Sequence, residues 1–264
     1  MAGKGRGVRD DKGVSETLGS ILVFGIIVSG IAMILLFGTN ILNNSKEISN
    51  FQNVEQGFKL VQSDIKRVAF EEMPVKLTRI HIDSGTISKD PAKRVTITYA
   101  GKDIENHTYV CDYDAQVGEI TYQPAGLQSS ISIENGGLWK MEGGYDSMIT
   151  APRIFMSPDG VLVINVIRLD CEAEKFSGAG TINLYMKHLN SQVQAYDNPP
   201  AGNDEVKLEI QTNYPSAWSA AFKDNPVDTT VSDTSDGVEI TFKDVKKLII
   251  SEHTVRIDPM SISS

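Results

Sequence analysis

His81, His107, His188 and His253, with Cys111 and Cys171, are the side chains of this 264-residue chain best suited to hold a metal or a reactive group. A local metal pair on a helix needs ligands at i and i+3 or i+4, and structural zinc sites commonly begin with Cys-x-x-Cys. Neither spacing occurs. The spacing therefore predicts no metal site and reads the histidines as isolated strand or surface residues. The patterns Gly-x-Ser-x-Gly, His-Glu-x-x-His and the glycine-rich phosphate loop are absent as well, so the sequence predicts no catalytic residue, no cofactor and no enzyme. Gly178-Ala179-Gly180 lies between two strand-like runs and opens no helix, which makes it a turn. Acidic loops at 197–205 and 228–236 offer carboxylates of the kind calcium binds, but neither follows the EF-hand order. Cys111 and Cys171 remain a candidate disulfide or, equally in keeping with the sequence, two small buried residues. Asn106-His107-Thr108 and Asn43-Asn44-Ser45 are acceptor sequons, which makes Asn106 and Asn43 candidate N-glycosylation sites if the chain is exported.

Export is decided by the elements that carry these residues. No Asp, Glu, Lys or Arg occurs between Glu16 and Lys46. Residues 18–42, at ~1.5 Å per residue, make a helix of roughly 37 Å, and about 20 apolar residues suffice for a bilayer core of ~30 Å. A cleaved secretory signal has an apolar region of only ~7–15 residues, so this run is too long for one. A buried core helix rarely needs so long an uncharged run. Small residues (Gly19, Gly25, Ser29, Gly30, Gly38) stud the helix, and Gly25-x-x-x-Ser29 fits the pattern of close helix approach in lipid.

Lys4, Arg6, Arg9 and Lys12 precede the span. Basic flanks stay cytoplasmic, so the short N-terminus is expected inside and the remainder outside. The whole chain carries a net charge of −9, and removing the basic leader leaves the exterior more acidic still. Nucleic acid and anionic lipid surfaces both call for a basic face, so neither is an expected ligand of the exterior.

Past Asn43 the pattern changes. Phe51, Val54, Phe58, Val61, Ile65 and Val68 recur at steps of three and four, with Ile48 one step earlier and charged residues on the other faces. This predicts an amphipathic helix laid against its own globular domain and ended by Pro74. From there the period is two. Strands are predicted at 75–82, 93–100, 107–113, 118–123, 130–133, 153–156, 161–169, 181–187, 205–211, 238–242, 247–251 and 254–258, with a short helix at 215–222. The expected fold class is α+β: a long N-terminal helix, transmembrane and then amphipathic, followed by an all-β sandwich or barrel-like domain. The segments are a basic leader at 1–13, a transmembrane helix at 14–42, an amphipathic helix at 43–73 and a β-rich exterior at 74–264.

Lys12-Gly13-Val14-Ser15-Glu16-Thr17-Leu18-Gly19 resembles the start of archaeal type IV pilin-like and flagellin-like envelope proteins. The start Gly-Val-Ser-Glu-Thr-Leu-Gly and the segment Tyr214-Pro215-Ser216-Ala217-Trp218 resemble, more narrowly, an archaeal envelope family with one span and a β-rich exterior. The resemblance implies cleavage between Gly13 and Val14 by a prepilin-type peptidase, with the apolar run retained. Pilins commonly carry a glutamate five residues after the cut that pairs with a neighbour's new amine. Here that position is Leu18, and the acid is Glu16, the third residue. Glu16 is thus a candidate assembly contact, and equally an acid in a first helical turn, where it favours the dipole behind a Ser15 cap.

The expectation is a single-pass cell-surface protein, pilin-like and structural or adhesive. Its expected partners are the membrane, the peptidase and further pilin-like subunits. The alternative is a non-polymerising anchored protein that binds a ligand or partner through its β-domain.

Overall fold

The computed structural model describes residues 12–102, 108–197, 204–223 and 229–263. The chain divides into two compact units, Met1–Ser49 and Asn50–Ser264. The long helix α1, Lys12–Phe70, contributes to both.

In the first unit, α1 holds Leu18–Phe37, a 20-residue stretch with no buried residue. It is long and apolar enough to cross a membrane. Ile48, one step before the predicted apolar stripe, is exposed here.

The second unit starts where that stripe becomes buried. Phe51, Val54, Phe58, Val61, Ile65 and Val68 are all in the core, so the 3-4 spacing marks one face of a helix packed against its own domain. The helix ends at Phe70, three residues short of the expected boundary. Glu71 N donates to Arg67 O, and Glu72 then takes a left-handed φ of 53°. That conformation terminates a helix by itself, before Pro74 is reached.

Seventeen strands follow among the described residues, in three sheets. The first sheet contains β1 (Val75–Ile82), β12 (Gly180–Asp197), β16 (Lys247–Ile257), β10 (Val161–Asp170) and β9 (Ile154–Met156) in that order, with β17 (Ser261–Ser263) also on β12. The second runs β11 (Glu174–Ser177), β2 (Thr86–Asp90), β5 (Glu119–Gln123), β6 (Ser129–Glu134), β7 (Gly137–Glu142) and β8 (Tyr145–Thr150). The third runs β14 (Thr229–Asp233), β15 (Gly237–Phe242), β13 (Val206–Gln211), β3 (Arg94–Lys102) and β4 (Thr108–Gln116). All pairings are antiparallel except β10 with β16. The second helix, α2, spans Pro215–Lys223.

Two apolar clusters hold these sheets. The first joins the buried face of α1 to Ile80, Ile182, Leu184 and Val255 of the first sheet and to Ile87, Ile120, Tyr122 and Ile133 of the second. Phe51 and Phe58 both place their rings 6.3 Å from Tyr122. Gly57 lets the helix approach β1, since a Cβ there would stand 3.3 Å from Ile80 Cγ2. The second cluster joins the third sheet and α2 to the strands β10 and β16, with Trp139 stacked on Trp218 at 4.3 Å. On β10, Val166 belongs to the second cluster and Ile167 to the first, so the first sheet supplies side chains to both cores. Each fully buried large side chain contributes about 1.5–3 kcal/mol relative to exposure.

The hairpin between β6 and β7 ties these parts together. Asn135 and Gly136 both have positive φ, the conformation of a two-residue type I′ turn, for which Asn-Gly is the preferred pair. The turn is gripped from two sides: Asn135 Oδ1 accepts from Ile167 N at 2.8 Å, and Gly136 O accepts from Gln62 Nε2 at 2.7 Å.

Candidate functional site

The residues singled out in the sequence separate into three groups. Gly13, Val14 and Glu16 fall in the first turns of α1, and their side chains lie outside the described residues. Asn43 is also in α1 by its backbone, with its side chain undescribed. Asn106 and His107 lie outside the described residues altogether. Cys111 and Cys171 are described, and both thiols are free. Cys111 on β4 belongs to the second apolar cluster, whereas Cys171, just past β10, packs against the first. Burial raises both thiol pKa values, that of Cys171 to about 11. Neither has the lowered pKa of a reactive thiolate.

Two histidines that look unrelated in sequence are brought together by strand register. Ser191 on β12 pairs with His253 on β16. Ser191 Oγ lies 2.9 Å from His188 Nε2 and 2.8 Å from His253 Nδ1, and His253 Nε2 lies 2.9 Å from Ser251 Oγ. The His253 ring also meets Phe70 edge-on at 4.8 Å. Burial, and then the charge of His188, depress the His253 pKa. The row of alternating hydroxyls and imidazoles can relay a proton along the sheet. It has no third ligand for a metal: among the described residues, no three of His, Cys, Asp and Glu converge on one point.

A second polar cluster is interior. Glu134 on β6 stands opposite Glu119 on β5, and both are buried. Thr212 Oγ1 donates to Glu134 Oε2 at 2.6 Å, and Trp218 Nε1 reaches the same oxygen at 3.4 Å. Burial, with the neighbouring Glu119 adding to it, holds the Glu134 carboxyl well above the usual carboxylate range. Thr212 also lines an open cleft of about 520 Å³ with Lys93, Asn213, Asp233 and Asp236. Lys93 Nζ donates to Asn213 Oδ1 at 3.0 Å there. The cleft presents mixed charge and amide groups suited to hydrogen bonding.

A third cluster links the first and third sheets. Glu252 accepts from Tyr113 Oη at 2.5 Å and from Arg168 Nη1 at 3.0 Å. Burial alone would raise its pKa, but Tyr113 and Arg168, with a further hydrogen bond from Gln192, outweigh it and hold the carboxylate below its ordinary range. The cluster is an ion pair fixing β4, β10 and β16 to each other.

Among the described residues singled out in the sequence, the structure unites His188 and His253, which sequence spacing reads as isolated. The pairing of Glu119 with Glu134 and the Glu252 cluster carry no local sequence signal, because each depends on contacts between strands. Asn135-Gly136, with both φ values positive, marks the point where β6 turns back into β7.

A protein of Archaeoglobus fulgidus described as uncharacterized is 23% identical over 274 residues, covering 84% of this chain and 88% of its own length. No solved structure matches the chain. Residues 12–258 match the family described as a family of unknown function, DUF7289, and the chain belongs to that family.

Proposed function

We propose that this chain is a membrane-anchored, pilin-like cell-surface protein with a structural or adhesive role. The observation that supports this most is the stretch Leu18–Phe37, uncharged, strongly apolar and with no buried residue, on a chain whose other compact unit is β-rich. Apolar side chains exposed over such a length are stable only in lipid or against other apolar helices. The basic residues before the span favour a cytoplasmic N-terminus and an exterior β-domain, a single-pass arrangement. On this reading the sheets pack in sandwich fashion outside the cell. A prepilin-type peptidase cuts between Gly13 and Val14 and leaves the span in place. Glu16 then sits near the new amine as an assembly contact with self or with other pilin-like subunits. The chain has no enzymatic role and binds no nucleic acid.

A second reading, a non-polymerising anchored protein that binds a ligand through its β-domain, draws support from the 520 Å³ cleft beside Lys93 and Asn213. N-terminal mass spectrometry of chain extracted from its native membranes separates the possibilities. A start at Val14 supports pilin-type processing, and an intact Met1 or Ala2 start contradicts it. A start beyond the apolar run contradicts anchoring itself.

A further inference from the structure

The last turns of α1 gather positive charge without a counter-ion. Lys66 and Phe70 stand four residues apart and so lie on one face of the helix. The stem of Lys66 runs along the β6–β7 turn, where a Cβ on Gly136 would stand 3.7 Å from its Cε. Its ammonium group donates to Ala151 O at 3.0 Å. Arg153, two residues further on, lays its guanidinium over the Phe70 ring, with Cζ 4.1 Å from the centroid. The loop between β8 and β9 thus brings both charges to one helix face.

Elsewhere in this unit cations meet carboxylates: Lys59 pairs with Glu55, Lys89 with Glu174, Arg168 with Glu252 and Lys187 with Asp258. Among the described residues, Lys66 and Arg153 form no ion pair. The acids just past the helix act on other groups: Glu71 pairs with Arg67 at 3.4 Å, and the charge of Glu72 bears on His253. His253 meets Phe70 edge-on, but Ser191 and Ser251 engage both of its ring nitrogens. Burial first, and then the charge of Arg153, bring the Lys66 pKa down to about 8, and no carboxylate offsets them.

An anion placed here would relieve the repulsion. Lys66 keeps two N–H donors after Ala151, and Arg153 presents a planar fork of donors. A point charge beside a fork suits an anion with several oxygens, and two positive charges match two negative ones. We propose that Lys66 and Arg153 together bind a doubly charged phosphate group, free or as a monoester. The site shares no residue with the cleft beside Lys93. It goes beyond the anchoring role and holds whether or not the chain forms filaments.

The test uses the full chain in detergent and phosphate-free buffer. Calorimetric titrations with inorganic phosphate and with glucose 6-phosphate are run side by side. Binding of either supports the site, and the one that binds identifies the source, free ion or monoester. Arg153→Gln and Lys66→Gln are each expected to weaken binding by about tenfold or more, in keeping with loss of a hydrogen bond to a charged group. Lys175→Gln, at an exposed position on β11, is expected to leave it unchanged. Acylation of lysines in the wild type near neutral pH, read by mass spectrometry, is a second measure that needs no variant. Millimolar phosphate is expected to slow labelling of Lys66 by about threefold or more, because an adjacent anion favours the charged amine, and to leave Lys175 unaffected. Failure of both compounds to bind, unchanged binding in Arg153→Gln, or equal protection of Lys66 by acetate at matched ionic strength overturns the site.

Discussion

Glu134 lies directly across the β5–β6 ladder from Glu119, two carboxyl groups buried side by side. Like charges opposite one another in a sheet are destabilising, and burial adds a desolvation cost to each ion. Burial, with Glu119 beside it, raises the Glu134 pKa toward the neutral acid, and Thr212 donates to it at 2.6 Å. The folded-state pKa lies above the unfolded one, so the folded state binds more protons in the interval between them, and stability falls as pH rises through it.

Replacing Glu134 by Gln removes this dependence. Chemical denaturation of wild type is expected to show stability declining from the ordinary carboxylate range toward mildly alkaline pH. Glu134→Gln is expected to give a flatter profile and to be the more stable of the two at the alkaline end, by an amount on the order of 1 kcal/mol or more, since one pKa unit corresponds to about 1.4 kcal/mol. Parallel profiles would show that Glu134 is ionised in the folded chain.

The helix face that packs on the β-domain should be sharply distinguished from the one that does not. Phe58→Ala removes a ring in full burial beside Tyr122 and is expected to cost about 3–5 kcal/mol. Leu60→Ala, at a 52% exposed position two residues on, is expected to stay within about 0.5 kcal/mol. Shifts in denaturation midpoint measure both, and equal shifts would contradict the buried stripe.

That stripe was legible because its residues repeat at 3-4 spacing and face one environment. The alternation in β13 and β15 was legible for the same reason, with Val206, Leu208 and Ile210 buried and Lys207 and Glu209 exposed. Strand β7 was missed because Leu138 and Trp139, adjacent in sequence, are both buried, one in each core, and no alternation survives. The second half of β12 was missed because Asn190, Gln192 and Gln194 carry no apolar signal at all. The contacts between His188, Ser191 and His253 depend on which strands lie side by side and in what register. A sequence read by its local periodicity contains neither.

Gly237 begins β15 opposite Gln211, and a Cβ there would stand 1.9 Å from the Ile210 carbonyl oxygen. No side-chain rotation relieves a clash with backbone. Gly237→Ala is expected to separate β13 from β15 locally and to lower the melting temperature by several degrees, in keeping with a destabilisation of about 2 kcal/mol or more. An unchanged melting temperature would contradict the close approach.

The two cysteines give a chemical count. In denaturant without reductant, two thiols per chain are expected to react, because Cys111 and Cys171 are both free. In the folded chain both should react slowly, since Cys111 is 5% exposed and the Cys171 thiol is raised to about 11. A count of zero would reveal a disulfide.

The account rests on the apolar stretch Leu18–Phe37 residing in lipid. Cells making the full chain, broken without detergent, spun and washed in alkaline carbonate, test this directly. The chain is expected to remain in the membrane pellet and to be released by detergent alone. Recovery of full-length chain in the aqueous supernatant would contradict the membrane anchor and the surface role built on it.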